Sequence, residues 1–100
     1  MTDKNLQKTI CEARQSWGFS KEDYMLLICG LAAEVGELAT AVRAQYVYNK
    51  PAIPEEDKSS LKHEMADVAI YLYALAEKCG VDLEGAIKSK LEINNKRFKK

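Results

Sequence analysis

The stretch Leu31-Ala-Ala-Glu34-Val-Gly-Glu37-Leu-Ala39 sets two glutamates inside an otherwise apolar helical run. From Tyr24 through Val42 these two are the only charged residues. Around them Leu26, Leu27, Ile28, Leu31, Val35, Leu38 and Val42 read as core. Residues three apart share a helix face, about 60° from each other, so the two carboxylates can converge on one point. A second pair, Glu64 and Asp67, opens another apolar run, Met65 to Ala76. Tyr24, Ile28, Leu31, Val35, Leu38 and Val42 recur at 3–4 spacing and predict the main core seam of the first run. Glu34 and Glu37 fall beside it, on a stripe with Leu27, Gly30 and Ala41. A stripe that continues as leucine, glycine and alanine is not an ordinary solvated face.

Working outward, Thr2 or Asp3 is placed to cap a first helix ending near Ser16, with Leu6, Ile10 and Ala13 as its buried stripe. Trp17-Gly18-Phe19 breaks it. Ser20, with Asp23 three residues on, resembles a capping box and predicts the start of a second helix running to about Tyr46. Asn49-Lys-Pro51-Ala-Ile-Pro54 has loop chemistry, since neither proline suits a helix interior. The third helix begins either at Pro54-Glu55-Glu56, where acids favour the dipole, or later at Ser59 or Ser60. It stops at Cys79-Gly80. Asp82 then caps a fourth helix from Leu83 to about Phe98, and the short Gly80–Asp82 connection predicts a tight hairpin of helices three and four. No strand alternation or internal repeat is visible. The expected fold is all-α: four helices in a single domain over residues 1–100, forming a bundle completed by oligomerisation.

Composition narrows the function. A chain of 100 residues buries a modest core, yet 47% of it is hydrophobic, so helices two and three are expected to face a partner subunit as well. Fifteen basic and fifteen acidic residues cancel, which argues against a nucleic-acid or membrane binder. Cys11, Cys29 and Cys79 show no CxxC spacing and read as reduced core cysteines. The opening Met1-Thr-Asp-Lys-Asn has no apolar signal region, and the uncharged run before Glu34 is too short for a bilayer. A cytoplasmic protein is expected.

Several ionised carboxylates in an apolar site repel one another and are costly to desolvate. Without a cation some would have to take up protons. Magnesium or manganese removes the difficulty, because both prefer oxygen ligands. Carboxylate-bridged di-iron bundles use Glu-x-x-His pairs, whereas the second pair here is Glu-x-x-Asp. Magnesium held this way completes its shell with water and substrate phosphates, which points to phosphate chemistry. One Glu-x-x-Glu alone is common on exposed helices; two in apolar runs are not. Lys90, Asn94 and Arg97 share a face of the last helix that can meet phosphate oxygens. The plainer alternative is a solvated basic tail at a helix C-terminus, where cations are favoured anyway.

In order, Glu34-x-x-Glu37, Glu64-x-x-Asp67 and Lys90-x-x-x-Asn94-x-x-Arg97 resemble the MazG-like all-α nucleoside triphosphate pyrophosphohydrolases. The stretch from Glu64 to Leu83 looks especially like the small dCTP pyrophosphatase branch. The similarity runs from about Trp17 to Phe98 and weakens between Tyr46 and Ser59. The resemblance implies helical dimers, or tetramers built from dimers, that use Mg2+ to split a nucleoside triphosphate into monophosphate and pyrophosphate. It implies Glu34, Glu37, Glu64 and Asp67 as metal ligands, and Lys90, Asn94 and Arg97 as triphosphate contacts. Glu34 or Glu37 would accept the proton of the attacking water. Trp17 and Phe19 match positions that enclose the base, and Tyr71, one turn after Asp67, is placed to line the same pocket. Tyr46, Tyr48 and Tyr73 are expected to pack, and His63 to sit at the surface or an interface.

The leading expectation is therefore a house-cleaning hydrolase for excess or non-standard nucleotides, with dCTP as first substrate. Two alternatives stand beside it. One is a non-catalytic nucleotide-sensing or helical interaction module that keeps the metal site without turnover. The other is a metal-free structural bundle whose acids pair with lysines.

Overall fold

A computed structural model describes residues 5–19, 21–47, 53 and 55–99. The caps and packing expected of Thr2, Asp3, Ser20, Tyr48, Pro54 and linker residues 49–52 lie outside the described residues. The described residues form α1 (Leu6–Ser16), α2 (Tyr24–Val47), α3 (Glu55–Cys79) and α4 (Leu83–Phe98). The all-α expectation holds.

Local chemistry explains each boundary. α1 begins at Leu6 because the Asn5 side chain accepts the Lys8 N–H at 3.0 Å, the bond an N-cap supplies. It ends in a Schellman motif: Gly18 has φ +93°, the Phe19 N–H reaches Arg14 O and the Gly18 N–H reaches Gln15 O. Asp23 accepts the Leu26 N–H at 2.9 Å, so α2 starts at Tyr24, four residues beyond the serine expected to start it. α3 begins at Glu55, the earlier of the two expected starts, and closes with the same motif as α1. Gly80 has φ +71°, with bonds from Val81 to Ala76 O and from Gly80 to Glu77 O. Asp82 caps α4 through the Gly85 N–H, as the sequence predicts.

α3 is the central element; α2 and α1 both pack on it. Gly30 abuts Tyr71 and Leu27 shares a cavity with Ala74, so α2 runs antiparallel to α3. α1 lies across the C-terminal half of α3, with Gln7 at Glu77 and Arg14 at Tyr71.

Four expectations are corrected. On α2, Tyr24, Ile28, Val35 and Val42 are exposed, 61%, 44%, 47% and 44% respectively. The stripe turned toward α3 is instead the one carrying Leu27, Gly30, Glu34 and Ala41. Glycine and alanine let two helix backbones approach; of the bulky seam Leu31 and Leu38 are half-buried and the other four exposed. On α1, Leu6 is exposed while Ile10 and Ala13 are half-buried, and the inward face also takes in Gln7, Cys11 and the buried Arg14. Among the described residues α4 packs along neither α2 nor α3, so the expected tight hairpin of helices three and four does not form. Finally, Cys29 and Cys79 are exposed and Cys11 is half-buried; all three are free thiols rather than core residues.

Candidate metal centre

Glu34 and Glu37 come from the middle of α2, and Glu64 from α3 where the antiparallel pairing brings it opposite. One carboxylate oxygen from each lies within 4.8 Å of the others. Asp67 stands outside this group, exposed one turn further along α3. Its charge still bears on both Glu34 and Glu64.

The electrostatics are those of crowded acids. The Glu34 carboxyl is raised above the ordinary 4.5, first by desolvation and then by the Glu37 charge and a hydrogen bond shared with Glu37. Asp67 and Glu64 add smaller pushes in the same direction. Glu64 is raised by desolvation, then by Glu37 and Asp67, and the neighbouring His63 lowers it. His63 itself is exposed, as expected.

Glu34 Oε2 and Glu64 Oε2 are both buried without a hydrogen-bond partner. A carboxylate oxygen withdrawn from water and left unbonded is costly. A hard divalent cation satisfies several such oxygens at once, so these donors suit Mg2+ or Mn2+. No thiolate or imidazole belongs to the group, which disfavours softer metals.

The phosphate residues are not gathered with the acids. Lys90 and Arg97 are exposed and Asn94 is half-buried on α4, with the Arg97 guanidinium 5.2 Å from the Phe98 ring. Of the expected base-enclosing residues, Trp17 is exposed at the end of α1. Phe19 and Tyr71 are brought together by a group the sequence reading missed. The Arg14 guanidinium lies 5.1 Å from each ring centroid and donates to the Glu22 carboxylate. Arg14 is only 7% exposed. Its signal was the 4–3 spacing Gln7-Cys11-Arg14, in which a charge ends a stripe that otherwise has none. Tyr73, expected to pack, is half-buried.

An antiparallel helix pair with a convergent carboxylate cluster defines a class: helical proteins with acids gathered between two helices, a donor set that suits a divalent cation. The profile of the MazG-like family matches residues 29–100, and the chain belongs to that family. It is 39% identical over 74 residues to dCTP pyrophosphatase 1 of Mus musculus and 40% over 76 residues to that of Homo sapiens. Each match takes in 72% of this chain but 44% of the relative, so the chain spans less than half the length of these proteins. It is also 34% identical over 89 residues to the uncharacterized protein YpjD of Bacillus subtilis, covering 86% of this chain and 79% of that one.

Proposed function

We propose that the chain is a magnesium-dependent nucleoside triphosphate pyrophosphohydrolase, with dCTP or a similar deoxynucleotide as substrate. The observation that carries this is the buried, unpartnered oxygen on each of Glu34 and Glu64, two residues whose carboxylates converge from α2 and α3. Membership of the MazG-like family supports it, and so do relatives named dCTP pyrophosphatase 1.

Glu34, Glu37 and Glu64 would hold the cation, with Asp67 beside them. When bound, Mg2+ or Mn2+ supplies charge neutralisation on the triphosphate and a lowered pKa for water. Glu34 commits its buried oxygen to the cluster. Glu37 is exposed and free to meet water, so it takes the general-base role. Its carboxylate accepts the water proton as the water oxygen bonds to the α-phosphorus; the bond to the bridging oxygen breaks and pyrophosphate leaves. Lys90, Asn94 and Arg97 hold the phosphate oxygens. Since α4 packs along neither acid-bearing helix, nucleotide binding must draw it over the site, or a second copy must supply it.

The same reading makes the protein a cytoplasmic homodimer or homotetramer, with no nucleic acid or membrane as partner. Over Tyr24–Gln45, α2 is long and apolar enough to cross a membrane. Two glutamates engaged with Glu64 at its centre suit a protein neighbour better than lipid.

The test is a panel of nucleoside triphosphates assayed for pyrophosphate release with and without Mg2+. Mg2+-dependent release, fastest with dCTP, is expected. Nucleotide bound without release would make the chain a sensing module. Thermal stability indifferent to Mg2+ would make it a structural bundle.

A further inference from the structure

We propose that Arg14 and Glu22 form a base-reading pair that selects a cytosine edge over a uracil or thymine edge. This rests on the pyrophosphohydrolase reading above. Beside the pair lies a half-open cavity of about 240 Å³, walled by Phe19, Leu27, Ala74 and Cys11, with Glu77 and Lys78 also lining it. It offers one aromatic face, two apolar walls, and a guanidinium and a carboxylate side by side, which suits a flat heterocycle with a donor next to an acceptor.

Its position suits a nucleotide. Tyr71 and Gly30 touch between the cavity and the acids. Leu27 precedes Glu34 by seven residues, about 10 Å along the helix axis, a gap that a deoxyribose and its first phosphate bridge. Phosphates on the acid cluster therefore leave the base at Phe19 and Arg14.

The buried pair also needs a reason to exist. Replacing a buried ion pair by apolar residues is often neutral or stabilising. Arg14 nonetheless occupies the inward stripe of α1, fixed by two rings and a carboxylate. A guanidinium carries five N–H donors, and the bond to Glu22 engages one of its nitrogens. Glu22 as a carboxylate only accepts. Cytosine presents an N4 amine there, whereas thymine and uracil present an O4 acceptor. The amine donates to Glu22 while Arg14 donates to cytosine N3 or O2. O4 would instead face the carboxylate lone pair to lone pair, and a ring shifted to set its N3–H there draws its phosphates away from the acids. Sites built on such bonds reject the mismatched partner strongly, here by about 100-fold or more.

The experiment measures kcat/KM for dCTP and dUTP with the wild-type chain, Glu22→Gln and Glu22→Asp. Wild type should prefer dCTP by about 100-fold, Glu22→Gln by less than about tenfold, and Glu22→Asp should keep the preference. Equal use of the two nucleotides by wild type, or an unchanged preference in Glu22→Gln, overturns the proposal. Since Glu22 also partners Arg14, Cys11→Phe gives a second route, narrowing the cavity without touching the pair. KM for dCTP should rise about tenfold or more with little change in kcat; an unchanged KM overturns the cavity assignment. Should no nucleotide be hydrolysed, the hydrolase reading fails by itself, and calorimetry with dCMP and dUMP decides this one. A dCMP preference lost in Glu22→Gln supports it, and equal binding overturns it.

Discussion

Glu34 and Glu64 are both held above the ordinary carboxyl value of 4.5 by desolvation and by each other's neighbours. A raised folded pKa means that the native state binds protons more tightly than the unfolded chain. The stability these groups contribute is full below 4.5 and is lost as pH rises through the raised values. Without cation, melting temperature should therefore fall, through these groups, between about pH 5 and about pH 8. A divalent cation competes with those protons, so the rise in Tm on adding Mg2+ should grow over the same range. Thermal melts with Mg2+ or with chelator at both pH values check this; an increment independent of pH removes the acids from the cation site. Glu37→Gln takes one charge from the cluster and the proposed base from the reaction. Hydrolysis should fall about 100-fold or more, while the cation-free Tm holds or rises. Wild-type turnover would clear Glu37 of any role. At this scale the acids were legible because each interrupts an apolar run. Arg14 was not, since arginine is seldom buried and one of the two rings that hold it, Tyr71 of α3, is far off in sequence.

Between elements the fit is close and depends on small residues. A Cβ on Gly30 would clash with Tyr71 Cε1 and stand 2.8 Å from its Cζ. The ring cannot swing freely, because Arg14 lies over it. Gly30→Ala should therefore destabilise despite alanine's better helix propensity, by about 1–3 kcal/mol for overpacking. That is a fall in Tm of about 4–8 °C per kcal/mol; an unchanged Tm would mean that α2 and α3 pack more loosely than this. Gln7 joins three elements. Its amide nitrogen donates to Glu77 Oε1 at 2.9 Å and to Val81 O at 2.8 Å, and its oxygen accepts the Leu83 N–H at 3.0 Å. Gln7→Leu strands that part-buried N–H at the start of α4, for a loss of about 1–3 kcal/mol. Faster amide exchange at Leu83 is its specific sign. Helix ends were readable where Gly80 and Asp82 sit, because stop and cap chemistry is local. The inward faces of α1 and α2 were not, because periodicity marks an apolar stripe without saying which neighbour covers it.

For the whole chain, the proposed second copy would resolve the discrepancy between α2's two stripes. Among the described residues, Leu27, Leu61, Ala74 and Ala76 are the buried apolar side chains, a small core for 47% hydrophobic content. The radius of gyration is 16.2 Å, where a compact 100-residue domain has about 13 Å. Both facts fit a chain that finishes its core elsewhere. Tyr24, Ile28, Val35 and Val42 are exposed at spacings of 4, 7 and 7 along the seam the sequence marked as core, with Leu31 and Leu38 half-buried between them. Covered by a second copy, that line becomes core after all, and the sequence pattern and the open face agree. Val35→Glu sets a charge mid-line without touching Glu34's contacts to α3, and a buried unpaired charge at an interface is strongly unfavourable. In sedimentation velocity the wild-type chain should run as a dimer or tetramer, and Val35→Glu as a smaller species with a lower, concentration-independent Tm. Circular dichroism should still report helix in the variant, separating dissociation from unfolding. An unchanged sedimentation coefficient for Val35→Glu would leave the exposed seam without a second copy to cover it.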